Sequence, residues 1–210
     1  MSGMRALVVA GIAAAGILAL SLRGRRKTPT VKHPRTTSAA HQQAARLAQE
    51  AFESVIHARP TLNELRILLA VALHETTFGA GWKGDGAGSH NMGAIHATAN
   101  WPGETWGGVD TSPTSTGGSI SYAQAFRKYP DALEGWKDLV RVLYVQMSAV
   151  RRAAATGDPR EVAKAMRSSK YYEGRGATEA ERIGGYEQAL VNALWEIDKF
   201  GAARRAYDEP

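Results

Sequence analysis

Apolar positions recur every three to four residues over most of the chain, with one long interruption in the middle. Over residues 38–59, Ala44, Leu47, Ala51, Phe52, Val55 and Ile56 fall on one helical stripe, and Pro60 stops it. Thr61 with Glu64 three residues on is a capping-box pattern, and the helix it opens has Leu65, Leu68, Leu69, Ala72 and Leu73 as core candidates. That helix is expected to end around residues 76–79. From there to about residue 125 the chain is rich in Gly, Ser, Thr, Asn and Trp, with only short strand-like runs such as residues 119–122, which predicts a small, irregular β-lobe. Helical period returns at Pro130, read as a first-turn proline, and runs through Leu133, Trp136, Leu139, Val140, Leu143, Tyr144 and Met147. Asp158-Pro159 opens a short helix carrying Val162, Ala163 and Met166. Thr178 with Glu181 opens the last one, carrying Ile183, Tyr186, Leu190, Ala193, Leu194 and Ile197. No internal repeat is seen. The predicted class is mainly α (α+β): helices, an inserted loop-rich β-lobe, then helices, all around one core.

The first residues do not belong to this pattern. Residues 6–22 are 17 uncharged positions, which as a helix span about 25 Å against a hydrocarbon core of roughly 30 Å. Three readings are open: a cleaved signal peptide, a permanent anchor, or a soluble buried helix. The cluster Arg23, Arg25, Arg26 and Lys27 directly after it disfavours export and cleavage, so the expected organisation is a short N-terminal transmembrane helix or signal anchor over 1–22, a basic linker over 23–37 and a folded domain over 38–210. The same basic cluster, by the positive-inside rule, leaves the folded domain on the cytoplasmic side.

Charge matters here through its location. The net charge of +6 suggests nucleic acid until it is placed along the chain: residues 1–38 hold seven of the 26 Lys and Arg and no acid, leaving 19 bases against 20 acids. The folded part is nearly neutral, and no nucleic-acid partner is expected. The chain has no cysteine, which excludes disulfides, thiolate nucleophiles and thiolate metal sites together.

Candidate chemistry concentrates between residues 68 and 96. Glu75 stands where a hydrophobic helix turns into a glycine-rich loop, with apolar side chains on one side and a cleft on the other. Partial desolvation there penalises the charged carboxylate and raises its pKa, as a general acid near neutral pH requires. The alternative is a solvated helix-end glutamate. His74-Glu75 begins like a zinc-protease motif, but Phe78 stands where the second histidine is needed, so no metal is expected. Gly84, Gly86 and Gly88 are not followed by Gly-Lys-Ser/Thr, which leaves them a turn-forming role. His90 and His96 read as surface or turn residues. The tryptophans Trp82, Trp101 and Trp106 are either core fillers or stacking platforms for sugar rings, and no serine has the elbow of an acyl-transfer nucleophile.

The string Ala72-Leu73-His74-Glu75-Thr76-Thr77-Phe78-Gly79, followed by Asn91-Met92-Gly93-Ala94-Ile95 and Phe126-Arg127-Lys128-Tyr129, resembles the glucosaminidase-type peptidoglycan hydrolases of the lysozyme-like superfamily. The likeness covers roughly residues 62–195, and Tyr171-Tyr172 with residues 182–190 are similar to that family's closing segment. It implies a lysozyme-like fold and cleavage of the glycan strand of peptidoglycan without a cofactor. Glu75 would be the general acid, Asn91 would fix the facing turn, and Tyr172 or Tyr171 would line the sugar groove; Trp106, from its place in the loop-rich lobe, is a further candidate for stacking on a sugar. Met92 and Ala94 depart from the family's turn, and its second acid, a Thr-x-Glu in the lobe, is not present as such. Asp110 is the nearest equivalent and Glu104 the other acid of the lobe. Lytic transglycosylase or muramidase action, or a non-catalytic wall-binding or virion module on the same fold, are the alternatives. The Ala- and Gly-rich N-terminus also resembles the signal-anchor-release segments of some phage endolysins, which implies a cell envelope or phage virion membrane as the place of action.

Overall fold

The computed structural model describes residues 37–113, 119–174 and 176–208. Its first helix, α1 (Ser38–Ile56), starts where expected because the Thr37 hydroxyl accepts the N–H of Ala40, and it closes on left-handed His57. The capping box at Thr61 and Glu64 is formed in both directions and opens α2 (Leu62–Thr76). Ile67, Ala70 and Val71 are buried along with the expected stripe, so α2 is the central helix of the core, apolar nearly all round. Its buried Glu64 carboxylate is satisfied twice, by the Thr61 N–H and by Arg151 at 2.9 Å.

The lobe is built on one antiparallel hairpin, β1 (Thr105–Pro113) and β2 (Ser119–Arg127), with Trp106 opposite Phe126 and Asp110 opposite Tyr122. The strands are longer than the run at residues 119–122 suggests. Glycines at 107 and 108 remove the alternation that marks a strand. Trp82, Trp106 and Phe126 form the lobe's own small core, with ring centroids 4.8–5.2 Å apart.

The helix expected over residues 130–147 is corrected in three places. It starts at Ala132, because the Asp131 carboxylate caps the N–H of Glu134, and Pro130 precedes it. α3 (Ala132–Val140) then widens into a π-helical run, Arg141–Gln146. Met147 leaves helical geometry and a separate α4 (Ser148–Thr156) comes next. α5 (Pro159–Ser168) opens on Asp158-Pro159 and α6 (Glu179–Phe200) on the Thr178–Glu181 capping box, both as predicted. Gly201 in the left-handed region ends α6, and a short α7 (Ala202–Asp208) packs back on α1 and α2.

α1, α2, α3, α4, α5 and α6 meet in one core whose largest fully buried side chains include Trp136, Phe52, Leu68, Leu139, Leu143, Met166 and Leu190. The observed class is mainly helical with one two-stranded sheet. Among the described residues no helix is long and apolar enough to cross a membrane. The apolar segment 6–22 and most of the basic linker lie outside the described residues.

Candidate active site

Glu75 is the penultimate residue of α2, and the backbone just beyond that helix is strained. Thr77 and Phe78 both have positive φ, 53° and 57°, before Gly79 at 80°. A β-branched residue in the left-handed region is rare, and such residues cost on the order of 1–3 kcal/mol each. The compensation is visible. The N–H of Phe78 reaches back to the Ala72 carbonyl, and the Thr76 hydroxyl donates to the Met92 carbonyl while accepting the N–H of Gly79, both at 2.8 Å. Phe78, in the place of a second metal-binding histidine, packs instead against His41 and Trp136.

The facing turn is braced from inside. Asn91 is fully buried, and its amide donates to the carbonyls of Ile95 and Arg127 while its oxygen accepts the Ile95 N–H, at 2.9–3.0 Å. Every polar atom of that side chain is thus engaged with the backbone, so Asn91 braces the turn and offers no group to a ligand. Gly93 has no room for a Cβ, which would stand 2.5 Å from Leu139 and 2.6 Å from the Tyr171 hydroxyl. That hydroxyl donates to the Gly93 carbonyl at 2.8 Å, tying the segment after α5 to the turn.

Over Glu75 itself lies α6. The Tyr186 hydroxyl donates to Glu75 Oε1 at 2.5 Å, and the Tyr186 ring stacks on Tyr172, 4.0 Å between centroids, and meets the edge of His74. Burial pushes the Glu75 carboxyl up to about 7; the Tyr186 hydrogen bond opposes this and the negative charge of Asp110 adds to it. Burial likewise holds the phenols of Tyr171 and Tyr186 well above their usual range, so both are neutral donors. Tyr172 is pushed up to about 12, mainly by burial, and its hydroxyl donates to the Ala163 carbonyl.

Asp110 comes from β1 and is half-buried, within 2.8 Å of His96 Nε2 and 3.3 Å of the Tyr122 hydroxyl. Its effect on Glu75 puts the two carboxyls within electrostatic reach across the site. Glu104 is elsewhere, mostly exposed and paired with Lys128 at 3.0 Å. Trp106 has one ring face stacked on Phe126, Trp82 meets it edge-on, and the ring packs so closely on Gly86 that a Cβ there would come within 2.7 Å. It is half-buried within the lobe's aromatic cluster. Tyr186 thus links Glu75 with Tyr172, Tyr171 ties the facing turn that Asn91 braces, and Asp110 acts on Glu75 through its charge.

No family model matches the sequence, and no curated protein does. Solved structures do match. A peptidoglycan hydrolase mutant from Sphingomonas sp. A1 is 20% identical with a TM-score of 0.57, the match covering 78% of this chain and 99% of that chain. The peptidoglycan hydrolase from the same organism is also 20% identical, with a TM-score of 0.52 over 78% of this chain and 94% of its own. The glycoside hydrolase domain of Salmonella typhimurium FlgJ is 24% identical with a TM-score of 0.46, covering 79% and 91%. The likeness to the Sphingomonas structures is one of fold.

Two residues of the site escape sequence reasoning. Tyr186 reads as one more apolar position on the α6 stripe, although a buried tyrosine must find a partner for its hydroxyl. That requirement was the available signal. His96 reads as a turn residue, and nothing in one sequence pairs it with Asp110, since the pairing arises from the bridge between His96 and Phe126 that lays the loop along the hairpin.

Proposed function

We propose that this chain is a peptidoglycan hydrolase that cuts the glycan strand, an endo-β-N-acetylglucosaminidase in its bond preference, with Glu75 as general acid. The observation that carries the reading is the half-buried Glu75 carboxyl at a helix end, pushed up to about 7 by desolvation, with the Tyr186 hydrogen bond opposing and the charge of Asp110 adding. Similarity of fold to proteins described as peptidoglycan hydrolases, and the resemblance of the Glu75, Asn91 and Phe126 motifs, support it from two further sides.

Glycoside hydrolysis requires a proton on the leaving oxygen as the C–O bond breaks and negative charge near the anomeric carbon as it becomes oxocarbenium-like. Glu75 supplies the proton. Asp110, or the acetamido oxygen of the substrate, meets the positive charge; water then adds to the anomeric carbon and its proton returns to a carboxylate. Tyr186 orients the Glu75 carboxyl, and Tyr171 and Tyr172 line the groove beside it. The chemistry proposed for these residues uses no cofactor.

We also propose that residues 6–22 hold the protein at the cell envelope, on the strength of their 17 uncharged positions. Carbonate-washed membranes should retain the full chain and lose the Leu18→Arg variant, since a central charge costs about 2.5–3.5 kcal/mol. Recovery of wild type only as a soluble, shortened chain would mean a cleaved signal.

Digestion of purified sacculi followed by mass spectrometry tests the activity. A new reducing N-acetylglucosamine end is expected. A reducing N-acetylmuramic end would make the protein a muramidase and an anhydro end a transglycosylase. No release at all would leave a wall-binding module.

A further inference from the structure

Between residues 101–104, the end of β2 and α3 lies a second pocket, of about 680 Å³, with Trp101, Glu104, Lys128, Glu134, Asp138 and Arg141 among its lining residues. Neither Glu75 nor any residue placed around it lines this pocket, and the volume is that of a small-ligand site. Its charges are paired with one exception. Lys128 meets Glu104 at 3.0 Å, Lys137 meets Glu134 at 2.8 Å, and Asp138 accepts from Arg127 at 2.7 Å and from the Tyr129 hydroxyl at 2.6 Å. Arg141 is exposed, and its side chain makes no hydrogen bond or ion pair among the described residues. It also opens the π-helical run, and such widened turns recur at functional sites.

The other wall is an aromatic platform. Trp101 is only partly buried, yet its ring is clamped: the Arg127 guanidinium lies 4.6 Å over it, Tyr129 meets it edge-on at 5.6 Å, and its indole N–H donates to the Glu104 carbonyl at 2.9 Å. A large ring already fixed in one orientation loses little freedom when a ligand settles against it. The pocket therefore offers an uncompensated cation beside a rigid apolar surface. In the intact polymer the lactyl carboxyls of the muramic residues are tied up as amides to the stem peptides, so the free carboxylates are those of the peptides.

We propose that this pocket is a second binding site, which takes the acidic stem peptide of the wall polymer with a peptide carboxylate on Arg141 and the peptide body against Trp101. This rests on the reading of the chain as a peptidoglycan hydrolase. The site gives the enzyme a preference for glycan that still carries its peptides.

Calorimetric titration of the full-length protein with a synthetic stem tetrapeptide, and separately with chitin tetrasaccharide, tests the proposal. The peptide is expected to bind, and Arg141→Ala, Arg141→Glu and Trp101→Ala to weaken it about tenfold or more, as loss of a hydrogen bond to a charged group predicts. In digestion assays, the ratio of KM on sacculi whose peptide carboxylates have been converted to amides to KM on untreated sacculi should fall about tenfold in Arg141→Ala. Absence of peptide binding to wild type, displacement of the peptide by the neutral saccharide, or equal losses on the two glycan substrates would each overturn it. The titration is repeated on Glu75→Gln. Peptide binding that persists while Glu75→Gln still cleaves would leave the pocket standing and sink the assignment of the acid.

Discussion

The two acids of the site stand in opposite surroundings. Glu75 ends the most deeply buried helix of the protein and is roofed by Tyr186, whereas Asp110 stands on a hairpin whose Val109 and Ile120 are mostly exposed, with His96 and Tyr122 at its carboxylate. The helical core thus raises the pKa of its carboxyl while the hairpin presents the other, half-buried, beside an imidazole. The difference teaches that two nearly identical side chains are set apart by their neighbours, a tyrosine hydroxyl on one and an imidazole on the other. A fold with a helical half and an open β half is suited to presenting two carboxyls with different neighbours.

The largest effect is expected from removing the proton on the core side. Glu75→Gln should lower cleavage of sacculi by about 10² to 10⁴, the usual worth of general acid catalysis. It should melt at or above the wild-type temperature. The folded-state pKa of Glu75 lies above its ordinary 4.5, so its contribution to stability is full below about 4.5 and is lost as pH rises to about 7. Melting curves from pH 4 to 8 should show the variant gaining on wild type over that window, and a constant gap would contradict the burial argument. Asp110→Asn should cost less, about tenfold to a hundredfold in rate, with Glu104→Gln as a control in the same lobe. Equal losses at 75 and 110 would erase the asymmetry.

A smaller change sharpens it. Tyr186→Phe removes a hydrogen bond that favours the ionised carboxylate, so Glu75 should hold its proton to higher pH. Wild-type activity should fall as pH rises through about 7, and in Tyr186→Phe that fall should move to higher pH, with a rate about tenfold lower from loss of positioning. A downward move would mean that the tyrosine acts otherwise. Smallest on catalysis should be Gly93→Ala, whose methyl meets Leu139 and the Tyr171 hydroxyl. Denaturant titration should show a loss of about 1–3 kcal/mol, with activity reduced only a few-fold.

Most helices were legible because their signals are local. Thr61 with Glu64, Asp158 with Pro159 and Thr178 with Glu181 each satisfy orphan N–H groups within one turn, and a single sequence displays that arithmetic. Glu75 was legible for the same reason, as the acid where apolar period gives way to glycine. The π-helical run after Val140 was not, because the stripe of Leu143 and Tyr144 continues through it and the break at Met147 is a backbone event. β1 hid behind Gly107 and Gly108. Trp106 could not be sorted between core and groove until Phe126 and Gly86 were seen against it, and Tyr186 and His96 gain their meaning only from partners far along the chain.

The hydrogen bond between Tyr186 and Glu75 joins residues 111 positions apart, across the whole lobe. Its consequence belongs to synthesis. While the chain emerges, α2 and the hairpin are complete long before α6, and until α6 docks the Glu75 carboxyl faces water and titrates as any glutamate does. A growing chain, or one cut short before residue 178, lacks the roof over Glu75 together with the core side chains Leu190, Leu194 and Ile197, and has no proton to give at neutral pH. The protein is thus expected to be latent until nearly its last helix is made, and activity of fragments ending before and after Tyr186 would time the switch.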